Sequence, residues 1–425
     1  MLISFKVENF KSFKDLTEFS MEATKLKNLK KQNSFDINNI SLLKSATIYG
    51  ANASGKSSLL DAMNMMKSIV KNSTSIEKSN DYFAQPFLLN SETENKETFF
   101  EIKFIIGNII YRYGFSIEKN ATILKEWLYQ KKLEIRAREI NLFIRDKKNI
   151  NLGKNFKEGK LLSDKTREEA LFLSVVAKWN GKISLNILEW FNQFNIISNI
   201  KSDEFKHYSF NKLDDKEFKD KIVTLIKSAD IGIYDISKQK LSFDDLKEKI
   251  NEVEKLPENL IRELKENGLA SVETKHIQYN KDNSFKKLKS FELDFESDGT
   301  QKLLALSAPI IETLLKGEIL IIDELDNSMH TELVNAIIKL FNSKNTNPNN
   351  AQLIFTTHDT NLLNQELFRR DQIWFTQKDI YGASELYSLV EYGKGKTRDD
   401  LILEKNYLEG KFGAVPHIDN LEYEI

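Results

Sequence analysis

Residues Gly50-Ala51-Asn52-Ala53-Ser54-Gly55-Lys56-Ser57 place two glycines, a lysine and a hydroxyl at the spacing G-x-x-x-x-G-K-S. A polyphosphate needs this set. Glycines allow tight turns, so successive backbone N–H groups can point into one concavity. The lysine then reaches the outer phosphates, and the Ser57 hydroxyl can ligate magnesium. The flanks suit the loop: Ala46-Thr47-Ile48-Tyr49 reads as a short buried strand. After it, Leu59, Leu60, Met63, Met66, Ile69 and Val70 recur at helical spacing. A strand before the loop and a helix after it separate a phosphate-binding loop from a chance glycine-rich turn. Gly50, Ala51, Asn52, Ala53, Ser54, Gly55, Lys56, Ser57 and Ser58 are therefore the candidate nucleotide-binding residues. The new helix's N-terminus adds about half a positive charge facing them.

Further stretches could complete this chemistry. Glu318-Ile319-Leu320-Ile321-Ile322-Asp323-Glu324 is an aliphatic run tipped by two acids. A parallel strand buried on both faces reads this way, and ligands gather at the carboxyl ends of such strands. Asp323 would hold magnesium and Glu324 would act as general base toward water. Ser297-Asp298-Gly299-Thr300 opens an apolar helix, and Ser297 and Gly299 suit a terminal phosphate. An ordinary helix cap has the same composition. Gln352-Leu353-Ile354-Phe355-Thr356-Thr357-His358 is another apolar strand with a polar end, where His358 could hydrogen-bond a phosphate. The candidate catalytic residues are Lys56, Glu324 and His358.

These residues need a sheet, and the chain can build one. It has 425 residues, 40% of them hydrophobic, with 62 basic and 63 acidic side chains for a net charge of −1. With so little net charge, any nucleic-acid contact must come from a local patch or a partner chain. No cysteine is present, which removes disulfides and thiolate chemistry and fits a reducing compartment. Met1-Leu2-Ile3-Ser4-Phe5-Lys6-Val7 alternates as a strand rather than reading as a signal peptide. No apolar run approaches the roughly 18 residues of a membrane span, so a cytoplasmic location without membrane contact is expected.

Residues 25–40 read as a surface loop, and 73–96 as mostly loop. An antiparallel hairpin is expected over 98–117 with its turn at Gly107-Asn108, and further strands over 121–130 and 132–145. From 165 to 270 the apolar stripes are mostly helical. No heptad pattern persists there, and Gly181, Gly232 and Pro257 interrupt it, which predicts a compact lobe rather than a coiled coil. The expected domains are 1–150, carrying the phosphate loop and an antiparallel β subdomain; 151–290, an inserted, mainly helical lobe; and 291–425, which completes the parallel sheet.

In this order the motifs resemble the Walker A, signature, Walker B and switch histidine of ABC-type ATPase heads of the RecF- and SMC-like kind. Asp298 stands where the signature's first glycine is usual, and Phe5-Lys6-Val7-Glu8-Asn9-Phe10-Lys11-Ser12-Phe13 looks like the opening strand of those heads. Other stretches resemble the ABC-headed AAA-family ATPases of phage-defence operons, the RloA/AbiL-like and OLD-like group. They are Asp323-Glu324-Leu325-Asp326-Asn327-Ser328-Met329-His330, Arg370-Asp371-Gln372-Ile373-Trp374-Phe375, Ser384-Glu385-Leu386-Tyr387 and the tail from Tyr407 to Pro416. The resemblance implies an α/β P-loop NTPase that uses ATP and Mg2+, with Gln85 as the Q-loop residue at the metal. His330 falls where SMC-type heads place an aspartate. The resemblance also implies a homodimer or higher even oligomer, each ATP being closed by the second subunit's signature.

In such a group the chain would regulate a separate nuclease or toxin effector encoded nearby. The stretch after His358 is too short for the Toprim nuclease that OLD proteins carry. Two alternatives stay open: a RecF-like DNA-repair ATPase and an ATP-gated scaffold with little turnover. For the first, Lys286-Lys287-Leu288-Lys289 and Lys131-Lys132 with Arg136 and Arg138 are candidate DNA contacts. An intact Glu324 argues against the second. The apolar tail at Phe412-Gly413-Ala414-Val415-Pro416 would dock a partner or pack on its own domain.

Overall fold

The computed structural model describes residues 1–75, 85–198, 203–229, 232–241, 243–249, 269–391 and 402–415, with Ile261, Arg262 and Lys265. Expectations resting on Pro257 and Pro416, and on residues 76–84 of the expected loop, lie outside the described residues. In chain order the strands are β1 (Leu2–Glu8), β2 (Thr17–Ser20), β3 (Ser34–Ile37), β4 (Ile40–Leu43), β5 (Ser45–Gly50) and β6 (Thr98–Ile106). Next come β7 (Ile109–Ile117), β8 (Ile123–Lys132), β9 (Ile140–Asp146), β10 (Asn149–Leu152), β11 (Phe194–Ile197) and β12 (Asp235–Leu241). The last are β13 (Leu269–Tyr279), β14 (Phe285–Glu292), β15 (Ile319–Ile322), β16 (Gln352–Thr356), β17 (Ile373–Lys378) and β18 (Ser384–Ser388).

Two compact units result. The first comprises residues 1–198, 313–327 and 337–425; the second comprises 199–312 and 328–336. In the first unit an antiparallel sheet runs β10-β9-β8-β7-β6-β1-β2, and a second sheet runs β11-β15-β16-β5-β17-β18. The second sheet is parallel except for β18 at its edge. β5, β15 and β16 are buried at every residue, as strands of a parallel sheet covered on both faces are. The helix Lys56–Asn72 buries Leu59, Leu60, Met63, Met66, Ile69 and Val70. They join one core with Phe5 and Phe104 of the antiparallel sheet, Ile321 and Ile354 of the parallel one, and Trp190. Phe104 stacks on Trp190 at 4.0 Å between ring centroids. This is the α/β P-loop architecture, a parallel core with an antiparallel β subdomain.

Several expectations need correction. Residues 151–198 do not belong to the lobe: the helices Phe172–Lys178 and Lys182–Asn192 carry core residues of the first unit. β11 pairs with β15 in parallel, Phe194 opposite Ile319 through Ile197 opposite Ile322. A four-residue, mostly apolar stretch fits either a helix or a strand locally, and the open edge of β15 decides. The lobe itself holds a three-stranded sheet, β12-β13-β14, beside its helices. The polar alternation of these strands carried no period-two apolar signal. The expected strand over 132–145 is broken by a turn in which Ala137 N donates to Glu134 O.

Residues 25–40 are also more than a loop, since Lys30–Asn33 is helical and β3 and β4 form a ribbon. A buried polar network holds the segment that leads into the ribbon. Arg369 donates from Nη1 to Leu26 O (2.9 Å) and Asn28 O (3.0 Å), and from Nη2 to Thr24 O (3.1 Å). Asp371 accepts from Arg369 Nη2 at 2.6 Å and from Thr24 N at 2.7 Å. Gln372 Nε2 donates to Ser45 O at 2.8 Å, and its Oε1 accepts from Asn33 at 2.7 Å. These side chains tie the 24–33 segment and the loop's own strand β5 to the start of β17. The tail packs on its own unit: Phe412 lies 5.8 Å from Phe375, and Tyr407 stacks on Phe375 at 5.5 Å.

Arg369 is fully buried and Asp371 nearly so. Replacing Asp371 with Ala leaves the guanidinium buried without its carboxylate, which costs about 3–5 kcal/mol. Asp371→Ala is therefore expected to lower the melting temperature markedly, checked by thermal unfolding against wild type.

Candidate functional site

Parallel register brings the carboxyl ends of β15, β16, β5 and β17 to one edge of the sheet. Gly50 ends β5, Asp323 follows β15, Thr357 and His358 follow β16, and Thr376 lies beside Gly50 on β17. The loop between Gly50 and Lys56 is packed from behind. A Cβ on Gly50 would meet Thr376 O at 2.4 Å, and one on Gly55 would meet Ser384 Oγ at 2.5 Å. Gly55 has φ +119°, where a side chain is strained in any case. Ser54 Oγ shares a hydrogen bond with Thr376 Oγ1 at 2.6 Å, and Ser384 Oγ donates to Ser54 O at 2.7 Å. Ser384 N in turn donates to Ser12 O at 2.7 Å.

Thr376, Ser384 and Ser12 thus buttress the loop, and motif spacing did not single them out for that role. Ser12 and Ser384 lay in stretches carrying the family resemblance, which was the available signal. Thr376 had none.

Lys56 is buried, and its Nζ donates to Gly50 O (2.8 Å) and Ala51 O (3.1 Å). Burial pulls its pKa down to about 8, against the raising influence of Asp323, Glu324 and Asp326. Ser57 and Asn52 are exposed, while Ser58 is half-buried on the first helical turn. Thr356 organises the acids opposite. Its Oγ1 donates to Asp323 Oδ1 at 2.5 Å and accepts from Glu324 N at 2.7 Å. Glu324 has φ +51°, a left-handed backbone costing a residue of this kind about 1–3 kcal/mol. Its amide bond to Thr356 and the turn from Asn327 N to Glu324 O (3.1 Å) hold it there.

The turns after β15 and β16 are tied together, since His358 N donates to Asp326 Oδ2 at 3.1 Å. His358 is exposed on one side. Partial desolvation first, then the Lys56 ammonium, hold its pKa below the ordinary histidine value, so its ring is neutral at pH 7.

Lys56, Asp323, Glu324, Asp326 and His358 therefore converge around one loop. Gln85 shares a cavity with Ser12 and Gly382, beside the loop's buttress. Its carbonyl accepts from Lys11 N at 2.6 Å, and it lines a cavity with Asp61, Asn64 and Ser68, one to three helical turns beyond Ser57. Ser297 and Gly299 lie in the second unit. Ser297 Oγ accepts from Thr300 N at 3.3 Å, the bond of an ordinary helix cap, and Glu296 Oε1 meets Thr274 Oγ1 (2.5 Å) and His276 Nε2 (2.7 Å). His330 Nδ1 accepts from Glu332 N at 3.2 Å and caps its own helix, also in the second unit.

A profile described as "AAA domain, putative AbiEii toxin, Type IV TA system" matches residues 45–364, most of the chain. The chain belongs to this AAA family. No curated protein matches its sequence. Among solved structures, the SMC head domain from Thermotoga maritima is similar at 12% identity and a TM-score of 0.40, over 91% of this chain and 98% of that one. No helix among the described residues is long and apolar enough to cross a membrane.

The residues present fit a magnesium nucleotide. The loop is braced from behind so closely that a side chain at Gly50 or Gly55 would displace it, and the buried Asp326 Oδ1 has no hydrogen-bond partner. Ser57 and Asp323 would hold the ion, an all-oxygen pair of the kind magnesium takes alongside water and phosphate. Among the described residues no group of three or more His, Cys, Asp or Glu side chains could hold a metal ion. When bound, the ion neutralises phosphate charge. Lys56 and the loop amides would bind and orient the phosphates.

Two outcomes follow from this geometry. Thr356→Val removes the hydroxyl that orients Asp323 and the Glu324 amide, and should lower kcat about 10- to 100-fold with little change in KM, read from steady-state ATPase assays. Lys56 loses its charge in the free protein as pH rises through about 8, whereas a bound phosphate favours the ammonium. ATP affinity should therefore fall as pH rises from 7 to 9, measured by fluorescent-nucleotide titration, and Lys56→Ala should remove most of this dependence.

Proposed function

We propose that the protein is an ATP-hydrolysing ABC-type head that dimerises around ATP and regulates a separate effector in anti-phage defence. The observation that carries the ATPase reading is the convergence of Lys56, Asp323, Glu324 and His358 at one sheet edge. Glu324 accepts the proton of the attacking water, worth roughly 10²–10⁴ in rate. Neutral His358 hydrogen-bonds the terminal phosphate, and Lys56 carries the compensating charge.

Dimerisation draws on exposure. Asn52, Ser57, Glu324 and His358 all face solvent, so this side of a bound triphosphate would stay wet. Phosphoryl transfer gains when water is excluded and electrostatic interactions strengthen. Ser297 is exposed as well, and its turn is suited to a phosphate on another copy. ATP would then join two subunits until hydrolysis releases them. The family description names a putative toxin of a type IV toxin–antitoxin system, which supports a defence role of the RloA/AbiL-like and OLD-like kind. The effector, a nuclease or toxin, would be a separate chain.

Glu324→Gln keeps the phosphate cradle and removes the base. It should cut ATP turnover about 10²- to 10⁴-fold and accumulate a dimer in ATP. Turnover assays and light-scattering mass, with and without DNA and the products of neighbouring genes, check this. Strong stimulation by DNA with no bound partner would instead assign a RecF-like role. Wild type as slow as Glu324→Gln would leave an ATP-gated scaffold.

A further inference from the structure

Two acids flank Ser297, the residue that would meet a phosphate on another copy. Asp298 opens the helix Asp298–Lys316, whose N-terminal dipole offsets its charge. Glu296 precedes the helix and has no such offset. Its side chain is drawn back onto β13 and is only 12% exposed, although Ser297 beside it faces solvent. There Oε1 accepts from Thr274 Oγ1 at 2.5 Å and from His276 Nε2 at 2.7 Å, since a carboxylate has only lone pairs to offer. Thr274 is fully buried, and strand alternation puts it on the same face of β13 as His276. The backbone of Glu296 is fixed as well. Its N donates to Leu293 O at 3.0 Å, and its O accepts from Gln301 Nε2 at 3.0 Å. Across the turn, a Cβ on Gly299 would meet Ser328 O at 2.5 Å. The turn is thus gripped from β13 on one side and from Ser328 on the other, and a helix cap alone needs neither.

We propose that Glu296 is a positioning residue for the Ser297 turn: gripped by Thr274 and His276, it sets where Ser297 and Gly299 meet the terminal phosphate on a second copy. This rests on the dimer reading above and adds the residue that controls the contact. Two effects act together. The grip fixes the residue before Ser297, and a displacement of about 1 Å at a reacting centre can cost about 100-fold in rate. It also keeps the carboxylate on its donors. Released, Glu296 would bring a negative charge beside the phosphates, where exclusion of water strengthens repulsion. Both donors sit on the lobe sheet, so a shift of β13 reaches the turn through this one side chain.

Steady-state ATPase assays of full-length variants, alone and mixed, test this. Glu296→Ala should lower kcat about 10- to 100-fold while ATP binding to the dilute monomer, read by fluorescent-nucleotide titration, stays unchanged. Glu296→Gln keeps an acceptor for Thr274 and His276 and should recover most of the rate. Thr274→Val with His276→Leu leaves the carboxylate unpaired and should fall below Glu296→Ala. Glu296→Ala mixed with Lys56→Ala should hydrolyse well above the sum of the two separate rates, because one composite site then has an intact loop and an intact turn. A misfolded variant gives no such recovery. Ser297→Arg, alone and mixed with Lys56→Ala, tests the underlying reading: wild-type turnover alone, or no recovery on mixing, would remove the dimer reading and the proposal with it. If Ser297→Arg is slow and recovers on mixing, three results overturn the role of Glu296 by itself. They are wild-type turnover by Glu296→Ala, its failure to recover with Lys56→Ala, and Glu296→Gln as slow as Glu296→Ala.

Discussion

A buried ammonium facing three carboxylates sets the terms for the rest of the molecule. Lys56 gives up hydration that an amine would normally keep, and desolvation outweighs the pull of Asp323, Glu324 and Asp326 on its pKa. Such a group is held where water cannot relieve it only if the surrounding backbone is fixed. The parallel ladder does this. One continuous set of strand pairings runs from β15 through β16 and β5 to β17, so acid, histidine and lysine keep a common frame although the sequence separates them widely. A slip in any pairing would move the acids relative to the loop, and every fully buried residue on β5, β15 and β16 resists that slip.

Polar side chains then finish what register begins. Gln372 fixes Ser45 at the start of β5, while Thr376 and Ser384 brace the loop at its far end. The phosphate cradle is thus held at both ends of one six-residue strand. Thr356 does the same for the acids with one hydroxyl, and Glu324 keeps its left-handed backbone there. Strain at this residue persists because the neighbouring turns leave it no alternative, a pattern found where geometry matters to chemistry.

The legible parts of the chain were those whose signal is local. The phosphate loop, the acid-tipped strand and the strand ending at His358 each declare themselves within about ten residues, through spacing and apolar runs. β11 could not be read that way, since Phe194-Asn195-Ile196-Ile197 becomes a strand only because β15 offers it an edge. The lobe sheet was missed because its strands are polar and held by pairing rather than by alternation. The 24–33 segment that leads into the ribbon is held by Arg369 and Gln372, more than three hundred positions away. Gln85 was placed by analogy alone, since nothing local to it is specific.

The same contrast bears on how the site works. Among the described residues, the hydrogen bonds that fix Lys56 and Asp323 come from within the first unit, so this half of the chemistry is preorganised before a nucleotide arrives. Glu324 and His358 are different: their backbones are pinned, yet both side chains face solvent. A base in water is hydrated and gains little from nearby charge. Covering it would strengthen every interaction among Lys56, Glu324 and His358 at once, without moving a strand. On the function proposed above, turnover would depend on what closes over this edge, and control would act through that cover rather than through the catalytic residues.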